Sequence, residues 1–219
     1  MGNSNVIVGG LRPITIVYTG GPHPANVVAL RWFISTAMPT FIDLIGGSTK
    51  VHLRVTGRGW GDGWGWLHLF EHESKPGWLT SGSGTVLFSE VEDVVETLLA
   101  CDAVIVPDRA TTSGVTTKVF DPIVIGAPFV ATARAGRGLI CPPTAHCDSL
   151  FFCPLDDPGG GCFAKRLLAI ISDPEFVQRQ QSALTTLRNA NGAQRWETRP
   201  VFHQFLNDRL SMAGFQTPV

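Results

Sequence analysis

The chain has 219 residues, 44% hydrophobic and 16% charged, and that apolar share is enough for a packed core, which excludes wholesale disorder. Its 17 basic and 18 acidic residues leave a formal charge of −1 with no Lys/Arg run, so the basic footprint of a nucleic-acid-binding protein is missing. The length suits one domain of ordinary or slightly large extent, or two very small ones.

Residues 1–13 (MGNSNVIVGGLRP) are expected to form a tail. They lack the basic region and long apolar run of a signal peptide, and Val6 stands where a myristoylation pattern needs Ser or Thr. No uninterrupted apolar run approaches the length of a membrane span. The five cysteines, Cys101, Cys141, Cys147, Cys153 and Cys162, are odd in number and read as reduced thiols of a cytoplasmic protein, at most peripheral at a membrane.

Apolar, β-branched runs at 14–18, 51–55, 85–88, 103–106, 128–131 and 150–153 are mostly continuous rather than alternating, the pattern of strands covered on both faces. Between the first two, residues 26–44 place Val27, Leu30, Ile34, Met38 and Phe41 on one helical face, with Pro39 expected to kink or shorten the helix. Short helices are predicted over 93–99 and over 116–125, the latter stopped by Gly126. Two or three more are predicted, over 163–171, over 174–189 and over about 196–206. The second of these is capped by Asp173, begins with Pro174 and is ended by Asn191-Gly192. This alternation predicts an α/β fold: a single Rossmann-like domain over 14–210, with a mostly parallel sheet of about six strands and helices on both faces, and a second tail over 211–219.

Residues 57–84 break the rhythm with eight glycines and four of the six tryptophans, Trp60, Trp64, Trp66 and Trp78. A long Gly-rich loop of this kind is either an insertion at the sheet edge with surface-packed indoles or a platform on which a sugar or base stacks.

The stretch 103–139 carries most of the chemistry. It reads as a buried strand ending at Pro107, a polar loop, a helix from about Thr116, and a Gly-Ala-Pro turn into another strand. In an open α/β sheet such a loop lies outside the carboxyl end of a strand, and the helix after it turns its free N–H groups toward a phosphate. Lys118 and Asp121 fall three apart in the expected first turns; Lys118 can supply a point charge and Asp121 can accept hydrogen bonds from ribose hydroxyls. Spacing alone favours a solvated Lys-Asp pair with modest helix support. Cys141, His146, Cys147 and Cys153 lack the paired knuckles of a zinc site, and His68-x2-Glu71-His72 is not the zincin order, so no metal site is expected.

The same stretch resembles the donor-binding region of retaining glycosyltransferases of family 4, which have the GT-B fold. The matching residues are Pro107, Ser113-Gly114, Lys118, Asp121, Gly126-Ala127-Pro128-Phe129-Val130-Ala131-Thr132 and Gly138-Leu139. TGGPHPANVVALRWFISTAMP is similar to the first strand and helix of a polysaccharide-assembly subgroup, with Pro24, Asn26, Arg31-Trp32-Phe33 and Pro39 in the expected places. VHLRVTGRG resembles the second strand and glycine turn, and VLFSEVEDVVETLLACDAVIVP the third strand, helix and fourth strand.

The resemblance implies transfer of a sugar from a nucleotide diphosphate to a glycan or lipid-linked acceptor, with retention and with no cofactor or protein-bound metal. It implies Lys118 as catalytic residue and a donor site of Gly20, Gly21, Ser113, Gly114, Thr116, Thr117, Lys118 and Asp121. Asp121 stands at the last acid of the family's Glu-x7-Glu motif, which holds the ribose, while Ser113 stands at the first; Thr111, Thr112, Ser113 and Gly114 resemble a Gly-Thr-rich variant of that loop. The Arg-x4-Lys pair that binds diphosphate after the first strand is replaced by Gly20-Gly21-Pro22-His23-Pro24, with His23 and Arg31 the nearest substitutes, and Arg137 stands where an acid is common. A complete GT-B enzyme has two such domains, so the chain reads as the donor half, paired with a separate acceptor-binding domain or subunit. The alternative is a non-catalytic nucleotide-sugar-binding module, or a scaffold with a decayed site, that works with a partner.

Overall fold

A computed structural model of the chain describes residues 12–47, 49–61, 69–70, 75–90, 94–109 and 117–195. Strands β1 (Ile14–Thr19), β2 (Val51–Thr56), β3 (Gly84–Ser89), β4 (Ala103–Val106), β5 (Phe129–Thr132) and β6 (Phe152–Cys153) form one sheet in the order β3-β2-β1-β4-β5-β6. Every neighbouring pair is parallel. All four residues of β4 and of β5 are buried, as the unbroken apolar runs required of strands covered on both faces. The last strand is shorter than its apolar run because residues Cys147–Leu150 form a helical turn instead.

One long helical stretch connects β1 to β2, made of α1 (Pro24–Trp32), a π-helical segment (Phe33–Ala37) and α2 (Met38–Leu44). Leu30, Phe33, Ile34, Ala37, Met38 and Phe41 are wholly buried. By length and composition alone this 21-residue helix could cross a bilayer; its seat in the core accounts for its apolar character. The kink expected at Pro39 takes the form of the π segment. Met38 N–H donates to Phe33 O, five residues back. The carbonyl next in that pattern is Ile34 O, whose donor would be residue 39, and proline has no N–H. The indole of Trp78 takes that place, donating from Nε1 to Ile34 O at 2.9 Å.

Trp78 lies in α3 (Gly77–Thr80) and, like Trp60, is buried in the core. Neither reading of the 57–84 segment holds for these two indoles, which neither pack on the surface nor offer a stacking platform. Trp64, Trp66, His68, Glu71 and His72 lie outside the described residues.

The remaining helices are α4 (Val94–Leu99), α5 (Phe120–Ile125), α6 (Cys147–Leu150), α7 (Gly161–Ser172) and α8 (Pro174–Arg195). Helix α7 packs on the π segment. Phe163 meets Trp32 and Phe33 edge-on at 5.7 and 5.6 Å between centroids, and a Cβ on Gly160 would fall 2.5 Å from the Ala37 Cα, so only glycine allows the approach. Asp157 caps α7 by accepting from the N–H groups of Gly161, Cys162 and Phe163. Asp173 caps α8 as expected, accepting from Phe176 N–H at 3.0 Å. Asn191-Gly192 does not end α8. Asn191 is buried, accepts from Ile140 N–H at 2.9 Å and donates to Ile140 O and Leu187 O at 2.8 Å each, so a residue read as a stop is a clamp on the 139–141 backbone. The helix predicted over about 196–206 and the two tails lie outside the described residues, apart from Arg12 and Pro13.

The cysteine reading needs correction, since Cys141 and Cys147 are joined in a disulfide. A 3-10 turn (Pro143–Ala145) and the left-handed His146 (φ 45°) fold the intervening chain back, so the two Cα atoms stand 6.3 Å apart, within the span a disulfide bridges. Cys101, Cys153 and Cys162 are free thiols, with Cys153 buried at the end of β6. Disulfides persist in oxidising surroundings, so cysteine usage no longer argues for a cytoplasmic chain.

Replacing Trp78 by Phe removes the indole donor to the Ile34 carbonyl. The Trp78→Phe protein is expected to lose roughly 2–4 kcal/mol, of which about 1–3 reflects the stranded carbonyl and the rest the smaller ring, read as a lower urea midpoint with an unchanged slope.

Candidate functional site

The sheet order reverses between β1 and β4. The chain leaves β1 toward β2 on one side and leaves β4 toward β5 on the other, so a crevice opens outside the carboxyl ends of these two strands. Gly20 and Gly21 follow β1 there, and Asp108 and Arg109 follow β4.

Close backbone contacts build the floor of the crevice. Gly20 N–H donates to Thr56 O at 2.8 Å, joining the ends of β1 and β2. Gly20 has φ +132° and Gly57 φ +154°, and a Cβ on Gly57 would fall 2.6 Å from the Gly20 carbonyl carbon, so side chains are excluded where the two loops cross. The carbonyl of Gly20 accepts from the Trp60 indole, which anchors the loop to the core.

Lys118 closes over this floor. Its Cε would lie 2.7 Å from a Cβ on Gly20, its Nζ donates to Asn26 Oδ1, and Nζ stands 5.5 Å from the centroid of the Tyr18 ring. Asn26 in turn donates from Nδ2 to Gly21 O at 2.8 Å, so one amide of α1 ties the lysine to the β1 loop. Burial pulls the Lys118 ammonium below the usual lysine range, and the charge of Asp108 opposes that pull. Burial raises the Tyr18 phenol, and Asp108 raises it further. Asp108 therefore acts on both groups.

Lys118 precedes its helix rather than sitting in it, since α5 starts at Phe120; Thr117 is exposed in the preceding turn. Asp121 is in the first turn of α5, and burial pushes its carboxyl up to about 6. The solvated Lys-Asp pair is thus not what forms: both groups are largely out of water, and the lysine bonds to Asn26. Ser113, Gly114 and Thr116 lie outside the described residues. Of the substitutes considered for the missing basic pair, His23 accepts from Ala25 N–H as the cap of α1, and Arg31 donates to Leu69 O at 2.7 Å, so both have structural partners. Arg109 stacks its guanidinium on Trp32, 4.4 Å from the ring centroid.

Sequence reading missed Asn26, Tyr18 and Asp108 as parts of this cluster. The signal for Asn26 was its place three residues after His23, at the start of the helix. Tyr18 and Asp108 carried none, because a tyrosine in an apolar strand and an aspartate after one are ordinary there. Two open grooves, of about 620 and 470 Å³, flank the disulfide loop and are lined by other residues, including His146 and Ser149 in both. Among the described residues no three of His, Cys, Asp and Glu gather closely enough to hold a metal ion.

Neither a family model nor a curated protein matches the chain. Among solved structures it is similar to the pneumococcal O-GlcNAc transferase GtfA in complex with UDP and GlcNAc, with a TM-score of 0.56 at 10% identity over 94% of this chain and 38% of that one. It is also similar to the catalytic domain of cholesterol-α-glucosyltransferase from Helicobacter pylori, with a TM-score of 0.48 at 14% identity over 81% of this chain and 99% of that one. An E. coli structure described as trehalose-6-phosphate bound with UDP-2-fluoro glucose scores 0.49 at 12% identity over 80% of this chain and 41% of that one. The chain thus spans well under half the length of GtfA, and the likeness to GtfA is one of fold. The fold is a single α/β domain with a six-stranded, all-parallel sheet, of the Rossmann-like kind found in GT-B glycosyltransferases.

Because burial holds the carboxyl of Asp121 above its unfolded value, the stabilisation it contributes is full below the unfolded pKa near 3.8 and is lost as pH rises through about 6. Asp121→Asn is therefore expected to melt higher than the wild type at pH 7.5, with the difference gone near pH 4, in paired thermal scans.

Proposed function

We propose that this chain is the donor-binding half of a retaining glycosyltransferase of the GT-B type, most similar to family 4, taking a nucleotide-diphosphate sugar as co-substrate and working with a separate acceptor-binding domain or subunit. The observation that carries the reading is the placement of Lys118 over Gly20 and beside Asn26 and Gly21, at the point where the strand order reverses. The two strand ends there leave a cation and close-packed, side-chain-free backbone facing one crevice, the combination a diphosphate requires.

In this reading the Lys118 ammonium leaves Asn26 to meet the diphosphate and stabilises the negative charge that builds as the glycosidic bond to the nucleotide breaks. The acceptor oxygen then bonds to the same face of the anomeric carbon, and its proton passes to the departing diphosphate. Such catalysis rests on positioning and charge stabilisation by the protein's own groups, with no bound metal required of it. Asp121 anchors the ribose by accepting hydrogen bonds from its hydroxyls, and its carboxyl near pKa 6 makes that acceptor available chiefly above pH 6. The neighbour GtfA was solved with UDP, which makes UDP the first probe to try.

Calorimetry with UDP, GDP and ADP is the test. One of them is expected to bind the wild type, and Lys118→Ala is expected to weaken that binding by about tenfold or more, the worth of a charge-assisted hydrogen bond. Asp121→Ala is expected to weaken it as well; undiminished binding would remove Asp121 from the site. Slow release of free nucleotide from the matching sugar donor supports catalysis, and binding without release supports a non-catalytic module. Absence of binding to all three contradicts the proposal.

A further inference from the structure

Tyr18 is the feature of the crevice that the donor-site reading leaves unused. Its side chain is buried to within 1% of complete, yet among the described residues its hydroxyl finds no hydrogen-bond partner. A buried phenol without a partner is destabilising, and native interiors satisfy nearly all such groups. An apolar ring of the same shape would fill this strand position without that cost, so the hydroxyl calls for a partner that arrives from outside.

Its surroundings define what that partner is. The Lys118 ammonium lies over the ring face, and the Asp108 carboxylate acts on both the phenol and the ammonium, so the three groups gather at the carboxyl ends of β1 and β4. Burial and Asp108 together keep the phenol protonated, which makes it a hydrogen-bond donor. A neutral donor beside a cation suits an anion. Lys118 itself covers the ring while its Nζ is held by Asn26, so movement of the ammonium onto an incoming anion uncovers the phenol in the same step.

We infer that Tyr18 is a binding residue of the site, donating its phenolic hydrogen to a phosphate oxygen of the ligand that Lys118 neutralises. The inference rests on the donor-site reading and adds to it a residue on β1 that no basic or glycine motif marks. Tyr18 and Lys118 act as one unit, the lysine supplying charge and the phenol direction.

The test is Tyr18→Phe, which removes only the hydroxyl, set beside Lys118→Met, with calorimetric titration of inorganic pyrophosphate and of whichever nucleoside diphosphate binds the wild type. Tyr18→Phe is expected to weaken both ligands by about fivefold to tenfold while the melting temperature of the unliganded protein stays level or rises. That opposition separates a ligand contact from a packing role, since damage to packing would lower the melting temperature too. Unchanged affinity in Tyr18→Phe, with Lys118→Met weakened, overturns the inference and leaves the donor site standing. Weakening of the nucleotide but not of pyrophosphate overturns it as well, by placing the phenol on the nucleoside. A wild type that binds neither pyrophosphate nor any nucleoside diphosphate overturns the donor-site reading and this inference together.

Discussion

The crossing of the Gly20 and Gly57 loops is the constraint on which the candidate site depends. A Cβ on Gly57 would meet the Gly20 carbonyl carbon at 2.6 Å and drive the ends of β1 and β2 apart, and one on Gly20 would strike Lys118 Cε at 2.7 Å. With both positions bare, the β1 loop lies flat across the end of the sheet. The Trp60 indole pins its carbonyl from below, and the Lys118 alkyl chain fits above it. The same bare backbone lets Asn26 reach Gly21 O with one end of its amide and Lys118 with the other. A cation is thereby held ready over a strand end in a chain that lacks the basic pair expected after β1.

A second constraint holds the helix that presents Asn26. Pro39 interrupts the hydrogen-bond ladder of the β1–β2 connection, and the π segment before it absorbs the break. The freed Ile34 carbonyl is satisfied by Trp78, and Ala37 is pressed against Gly160 at the start of α7. The Gly/Trp-rich stretch therefore serves the core at both its described indoles, one under the β1 loop and one under the π segment. This explains why a segment that looks like a surface insertion carries the largest side chains of the interior.

The strands were legible because each is a short apolar run, and β4 and β5 are buried along their whole length, where composition alone gives the answer. The order of motifs along the chain likewise pointed to a GT-B domain, and Gly20, Gly21 and Lys118 do meet at the sheet's reversal point. Several features that depend on tertiary context were not legible. Asn191-Gly192 has the chemistry of a helix stop, but the buried Asn191 amide instead pairs with both backbone groups of Ile140. Trp60 and Trp78 sit among glycines that suggest exposure, while their N–H groups answer carbonyls distant in sequence. The Cys141–Cys147 bridge depends on a left-handed His146, a conformation that no local signal announced. Lys118 and Asp121, whose spacing also suits a solvated pair, are instead both drawn out of water, with the lysine bonded to Asn26.

The central claim is that the ligand sits at the β1–β4 reversal point and not in the grooves beside the disulfide loop. Amide chemical-shift mapping of the isotope-labelled chain during titration with UDP addresses it most directly. The account predicts that the largest shifts fall on Gly20, Gly21, Asn26 and Lys118. Shifts confined instead to Thr144, Ser149, Gln178 and Ser182, which line the larger groove, would contradict it.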